Sequence, residues 1–271
     1  ETVRILLNSA SGDGIANSSG LVGKYIMDTV GSDMLGQIPS LENLPAHNDD
    51  GAGGTHFYSP WWLYKEQKAG KLDFARGYHI EIGGTRGMPK GNSPVPTHYL
   101  KGLYGTKLKE AARRYYGSFV HLACRGEMIP NEGSFAELDS EVKDKWGIPV
   151  MKWHWKWSDH ETNMAVHAQK TFSEIFESTG GKGLFDPKQD ARKTILKGGQ
   201  VIHEVGGAIM GADGKKAVCN EWNQTWDIKN LFLCDGSPFA SNADKNPTET
   251  IMALAWRAAD HLIEEARKGN L

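Results

Sequence analysis

Apolar positions along the chain follow two periods. Residues 150–157 alternate strictly: Trp153, Trp155 and Trp157 share one face, and Lys152, His154 and Lys156 share the other. That pattern predicts a half-buried strand with a tryptophan face in the core. Residues 159–179 bring Met164, Ala168, Phe172, Ile175 and Phe176 onto one helical stripe, and Gly180-Gly181 stops the helix. Residues 251–259 are apolar on nearly every side, which predicts a helix, opening near Pro247 and closing at Gly269, that is buried on most faces. Shorter apolar runs predict strands at 3–7, 118–122 and 230–234. A basic helix is predicted at 108–116 and an amphipathic one over 21–30. From about residue 32 to residue 106 the pattern breaks up among Gly, Pro and aromatic residues, which predicts long functional loops.

Composition narrows the class. The 271 residues hold 31 basic and 33 acidic side chains, a net charge of −2 that offers no electrostatic footprint for nucleic acid or an anionic membrane. No stretch is apolar for long enough to insert in a membrane. Three widely spaced cysteines (Cys124, Cys219, Cys234) form no CxxC pair and are expected to be ordinary thiols. No metal-ligating pattern is present. The first residues carry neither Met nor a leader pattern, so the chain is expected to start within a longer unit, and soluble cytoplasmic or periplasmic compartments stay open. Gly12-x-Gly14 is followed by Asn17 where a dinucleotide fingerprint needs a third glycine, so a plain connection is favoured over a phosphate loop.

The C-terminal seventy residues are the informative part. His203-Glu-Val-Gly-Gly-Ala-Ile-Met-Gly211, Asn230-Leu-Phe-Leu-Cys-Asp-Gly-Ser237 and Asn246-Pro-Thr-Glu-Thr-Ile-Met-Ala-Leu-Ala255 occur in that order. Together they resemble the C-terminal signature of glucose–methanol–choline (GMC) oxidoreductases, FAD-dependent enzymes of alcohols and sugars. The opening residues, Arg4-Ile-Leu-Leu-Asn-Ser9 and Asn17-Ser-Ser-Gly-Leu-Val-Gly-Lys24, resemble the segment joining that family's flavin and substrate domains. Arg125-Gly-Glu-Met-Ile-Pro130 adds a resemblance to bacterial gluconate and glucoside dehydrogenase members.

The resemblance implies an α/β fold with an α+β substrate part. Residues 1–35 would form a flavin-domain segment, 36–197 a substrate-binding domain, and 198–271 the C-terminal part of the flavin domain. It implies His203 and Asn246 as catalytic residues, and Asp235, Gly236, Asn246, Pro247 and Thr248 as contacts to FAD. Ile209 stands where the family usually carries Arg. The unit holding the ADP half of FAD is expected on an N-terminal segment or a separate chain, and an electron-accepting subunit is a further candidate partner.

The residue types suit the chemistry. Oxidising a CH–OH group removes a hydroxyl proton and a hydride, and a neutral imidazole takes the proton near neutral pH. An asparagine amide holds the hydroxyl without titrating. Tyr58, Trp61 and Trp62 are candidates to stack on a pyranose ring, and His154 to border a sugar cavity. A non-catalytic sugar-binding or scaffold subunit is the competing class; a nicotinamide reductase lacks its third glycine.

Overall fold

The computed structural model describes residues 1–10, 12–45, 57–84, 95–184 and 190–271. Residues 46–56 and 85–94 of the loop-rich stretch lie outside the described residues. In chain order the elements are α1 (Thr2–Asn8), β1 (Val30–Gln37), β2 (Phe57–Ser59), α2 (Tyr64–Lys68), β3 (Tyr78–Gly84), α3 (Thr97–Leu100), α4 (Gly105–Tyr115), β4 (Phe119–Gly126), β5 (Phe135–Lys143), β6 (Pro149–His154), α5 (Asp159–Ser178), β7 (Lys182–Gly183) and α6 (Thr248–Lys268). None of the helices among the described residues is long and apolar enough to cross a membrane.

The chain divides into two compact units, one of residues 1–29, 127–158 and 197–271, the other of residues 30–126 and 159–196. Residues 127–158 fall in the first unit rather than with the middle of the chain. The reason is local: Ala136 N–H donates to Gly23 O at 2.8 Å and Ile26 N–H to Ser134 O at 3.0 Å, which stitches β5 to the N-terminal segment.

In the second unit, five antiparallel strands in the order β2-β3-β4-β1-β7 make one sheet. Helix α5 covers one face, burying Met164, Ala168, Phe172 and Phe176 as the helical stripe predicts. Gln169 Nε2 donates to Ser32 Oγ at 2.8 Å and to Asp33 O at 3.0 Å, which fixes the helix to β1. Strands β1 and β3 stand within the stretch expected as loops.

The first unit owes little to regular strands. Its core gathers Val3, Leu6, Ala16, Val22, Ala208, Val218, Cys219 and Leu233. Residues 3–7, expected as a strand, lie in helix α1, whose i, i+3 pair Val3 and Leu6 is buried while Ile5 is exposed. Residues 21–29 form no helix. Gly23 sits at φ +89 with its amide on Gly207 O, and a Cβ there would strike Ala136 O at 2.2 Å; Tyr25 is also left-handed. Residues 230–234 form no regular strand either, although Leu233 is buried and Leu231 partly buried. Their main chain is held by Thr225 and Asn223 instead of a ladder.

Helix α6 ends at Gly269 in the left-handed conformation, as expected. Its burial is a correction: Ala258 is its one fully buried residue. One side leans on the 220–226 turn, where Trp222 stacks on His261 with centroids 4.7 Å apart. Met252, Trp256 and Ile263 form an uncovered stripe, with Trp256 74% exposed. Apolar residues on two opposite sides produce the all-round apolar sequence, and among the described residues only one side is covered. Trp153 is a second correction, 54% exposed rather than core, although Met151 on the same face of β6 packs against the core.

Candidate active site

The first signature segment owes its shape to two adjacent glycines. Gly206 and Gly207 lie at φ +85 and +90, and the chain passes so close that a Cβ on Gly206 would meet Tyr25 O at 2.3 Å. One on Gly207 would meet Ile26 Cδ1 at 2.7 Å and Val3 Cγ2 at 2.8 Å. The pair forces the chain to turn just after His203 and to run beside the second signature: Gly206 N–H donates to Gly236 O, Ala208 N–H to Ser237 O and Met210 N–H to Pro238 O, at 2.8–3.0 Å.

His203 is half-buried ahead of this turn. Its main-chain N–H donates to the carboxylate of buried Asp28 at 3.0 Å, and its Nδ1 lies 3.2 Å from Thr29 Oγ1. The preceding Ile202 is left-handed (φ +62) and 76% exposed. A β-branched residue there carries backbone strain of roughly 1–3 kcal/mol, a condition found where the surroundings over-determine a functional backbone.

The Asp235-Gly236-Ser237 turn folds onto its own carboxylate. Burial alone would raise the Asp235 carboxyl, but Ser237 Oγ (2.6 Å), Thr2 Oγ1 (2.6 Å) and Ser237 N–H (2.9 Å) all donate to it and hold it below the usual carboxylate range. The carboxylate therefore shapes the turn. Gly236 packs against its neighbours so closely that a Cβ would sit 3.1 Å from Val205 Cγ1 and 3.4 Å from Ile251 Cδ1. His203's segment, the Asp235 turn and the first turn of α6 thus meet at one glycine. Beside it opens a cavity of about 370 Å³ lined by Val205, Gly206, Asp235, Gly236, Ser237 and Trp153, among others.

Pro247 occupies the N-cap position of α6, no side chain caps the helix, and Ile251 N–H makes the first internal bond, to Pro247 O at 2.9 Å. Asn246 and Thr248 are exposed on this end, and Pro247 is half-buried. Asn246 stands one residue before the N-cap and its side chain does not cap the helix.

The remaining candidates are dispersed. His154 stacks on Phe135 (4.1 Å) and contacts Glu137 across the hairpin (2.9 Å), and it is Trp153 from the opposite face that lines the cavity. In the second unit, Trp61 is a packing residue: its ring lies 5.0 Å from Tyr78 and its Nε1–H donates to Gln67. Tyr58 and Trp62 keep exposed rings. Arg125 pairs with Asp33 and Glu81 on the sheet face away from α5. The Gly12–Gly14 turn follows helix α1, so the strand-loop-helix context of a phosphate loop is missing. Asp28, Thr29 and Gly199 belong to no sequence motif and reach the His203 turn only through the fold. Cys219 is buried, which pushes its thiol up to about 12; Cys124 is buried too, and Cys234 is exposed.

Comparison with known proteins gives the class. Residues 130–255 match the family described as GMC oxidoreductase. It is 30% identical over 264 residues to 2-methyl-1,2-propanediol dehydrogenase of Mycolicibacterium austroafricanum, covering 96% of this chain and 46% of that protein. It is 28% identical to the fructose dehydrogenase large subunit of Gluconobacter japonicus, covering 99% and 46%. The fold is similar to about half of formate oxidase from Aspergillus oryzae, solved in work on FAD modification: TM-score 0.59, 11% identity, 92% of this chain and 48% of that one. The chain spans about half the length of the relatives it matches.

Proposed function

We propose that this chain carries the catalytic portion of an FAD-dependent oxidoreductase that converts a CH–OH group, on a sugar or sugar derivative, to a carbonyl. The observation that carries the reading is the meeting of three separate sequence segments at Gly236, beside a cavity and an uncapped helix end. One relative is named for a diol and another for fructose, so the chemistry they share is oxidation at a hydroxyl-bearing carbon.

The residues present fit a flavin. The uncapped first turn of α6 offers main-chain N–H groups and the positive end of a helix dipole to negative charge. Gly236, with no Cβ, and the carboxylate-braced turn around it give the cavity a preformed wall. Gly236, Asn246, Pro247 and Thr248 would hold the isoalloxazine and ribityl end, and Asp235 would act through the turn it braces. FAD, when bound, supplies the acceptor for the hydride that leaves the carbinol carbon. His203 takes the hydroxyl proton at a ring nitrogen, and the Asn246 amide orients the hydroxyl by a hydrogen bond. Tyr58 and Trp62 present rings suited to a pyranose face.

The uncovered stripe of Met252, Trp256 and Ile263 supports a companion flavin-binding segment or chain that covers it, because exposed apolar patches of this kind mark interaction sites. An electron-accepting subunit is in keeping with a relative that is itself one subunit of an assembly.

Anaerobic addition of a sugar or polyol to the complete FAD-loaded protein is expected to bleach the flavin. The Asn246→Asp variant sharpens the test. Asn246 caps nothing, so thermal stability is expected to stay within the ordinary surface range of about 0.5 kcal/mol. The new charge opposes the negative charge that the reaction delivers beside α6, so reduction by substrate slows and the flavin potential falls. Unchanged rate and potential in this variant would remove Asn246 from the site.

A further inference from the structure

The turn that presents His203 is anchored by two adjacent side chains from far along the chain. Asp28 is fully buried, and its carboxylate accepts from Thr29 N–H at 2.7 Å, Gly199 N–H at 3.0 Å and His203 N–H at 3.0 Å. It therefore pins both ends of the 199–203 turn, including the left-handed Ile202 within it. Thr29, equally buried, brings its hydroxyl oxygen to 3.2 Å from His203 Nδ1. One dipeptide thus grips the histidine twice, by main chain and by ring.

We propose that Asp28 and Thr29 are the positioning residues of the proton acceptor, with Thr29 setting the tautomer of His203. The inference rests on the functional reading above. A neutral imidazole that accepts a proton at Nε2 carries its own proton on Nδ1. Thr29 Oγ1 therefore accepts from Nδ1–H. When the substrate hydroxyl proton arrives at Nε2, the ring becomes an imidazolium whose Nδ1–H bond to Thr29 strengthens, since a bond to a charged donor is stronger than one to a neutral donor. Asp28 holds the turn in place, with the like charge of Glu204 acting on its carboxylate. Burial raises the Asp28 carboxyl above its ordinary range; the three N–H bonds oppose that rise. The fused arrangement explains why an exposed, strained Ile202 persists: the anchors on either side over-determine its backbone.

The test uses the complete FAD-loaded protein with His203→Ala, Thr29→Val and Thr29→Ser. Thr29→Val keeps the shape and removes the hydroxyl; Thr29→Ser restores it. In Thr29→Val, flavin reduction at saturating substrate is expected to fall by on the order of tenfold, the scale of one lost hydrogen bond to a charged group. The acid limb of its rate profile moves to lower pH, because the imidazolium has lost an acceptor. Long-range 1H–15N spectra of histidine-labelled protein are expected to show His203 protonated on Nδ1 in the wild type and shifted toward Nε2 in Thr29→Val. Thr29→Ser restores rate and tautomer. A purely structural role would change thermal stability in both variants and leave tautomer and pH profile where they are; that result overturns the proposal. If His203→Ala itself is reduced as fast as wild type, the functional reading fails instead, and the two failures are told apart.

Discussion

Replacing His203 with Ala is expected to slow substrate-driven flavin reduction by about 10²–10⁴, the usual worth of general-base help, while the protein stays folded and keeps its flavin. The ring is half-buried, so its loss empties little core. The main-chain N–H that anchors the turn on Asp28 survives the substitution. Stopped-flow absorbance on the FAD-loaded variant separates the effects: a reduction rate within threefold of wild type would give the proton-accepting role to another group.

Gly206→Ala is expected to have the largest effect on stability. The position is left-handed, which costs an L-residue roughly 1–2 kcal/mol, and the new methyl would stand 2.3 Å from Tyr25 O, a backbone atom that cannot swing away. Overpacking of this sort adds about 1–3 kcal/mol, for a total of about 3 kcal/mol or more, against typical domain stabilities of about 5–15 kcal/mol. Gly12→Ala is the matched control. It is also left-handed but meets nothing within 4 Å, so it pays the backbone cost alone. Denaturant titration of both variants checks the difference, and equal losses would show that close passage at Gly206 is unimportant.

Helical periods were legible where one face is buried within this chain: the Met164–Phe172–Phe176 stripe of α5 and the Gly269 stop of α6 are both where the pattern puts them. The motifs were legible for a different reason. His203-x-x-Gly-Gly and Asp-Gly-Ser encode close backbone passage, and the structure uses Gly206, Gly207 and Gly236 for that purpose. What failed were short apolar runs. Residues 3–7 and 230–234 bury Leu6 and Leu233, yet one run is helical and the other is held by turn hydrogen bonds, because burial in a small irregular core does not demand a ladder. The 21–30 helix failed through Gly23 and Tyr25, whose left-handed backbones interrupt any helical turn. Asp28 and Thr29 were invisible, since their links to His203 span 175 and 174 positions and leave no local pattern.

The most direct test of the central claim is the origin of the hydride. The complete FAD-loaded protein is mixed anaerobically with a sugar or polyol deuterated at one hydroxyl-bearing carbon at a time, and bleaching of the flavin is followed in the stopped-flow. Slower bleaching for one labelled carbon, with the corresponding carbonyl as product, is the predicted result. No bleaching by any CH–OH donor, or bleaching with equal rates for every labelled carbon and no carbonyl product, would contradict it.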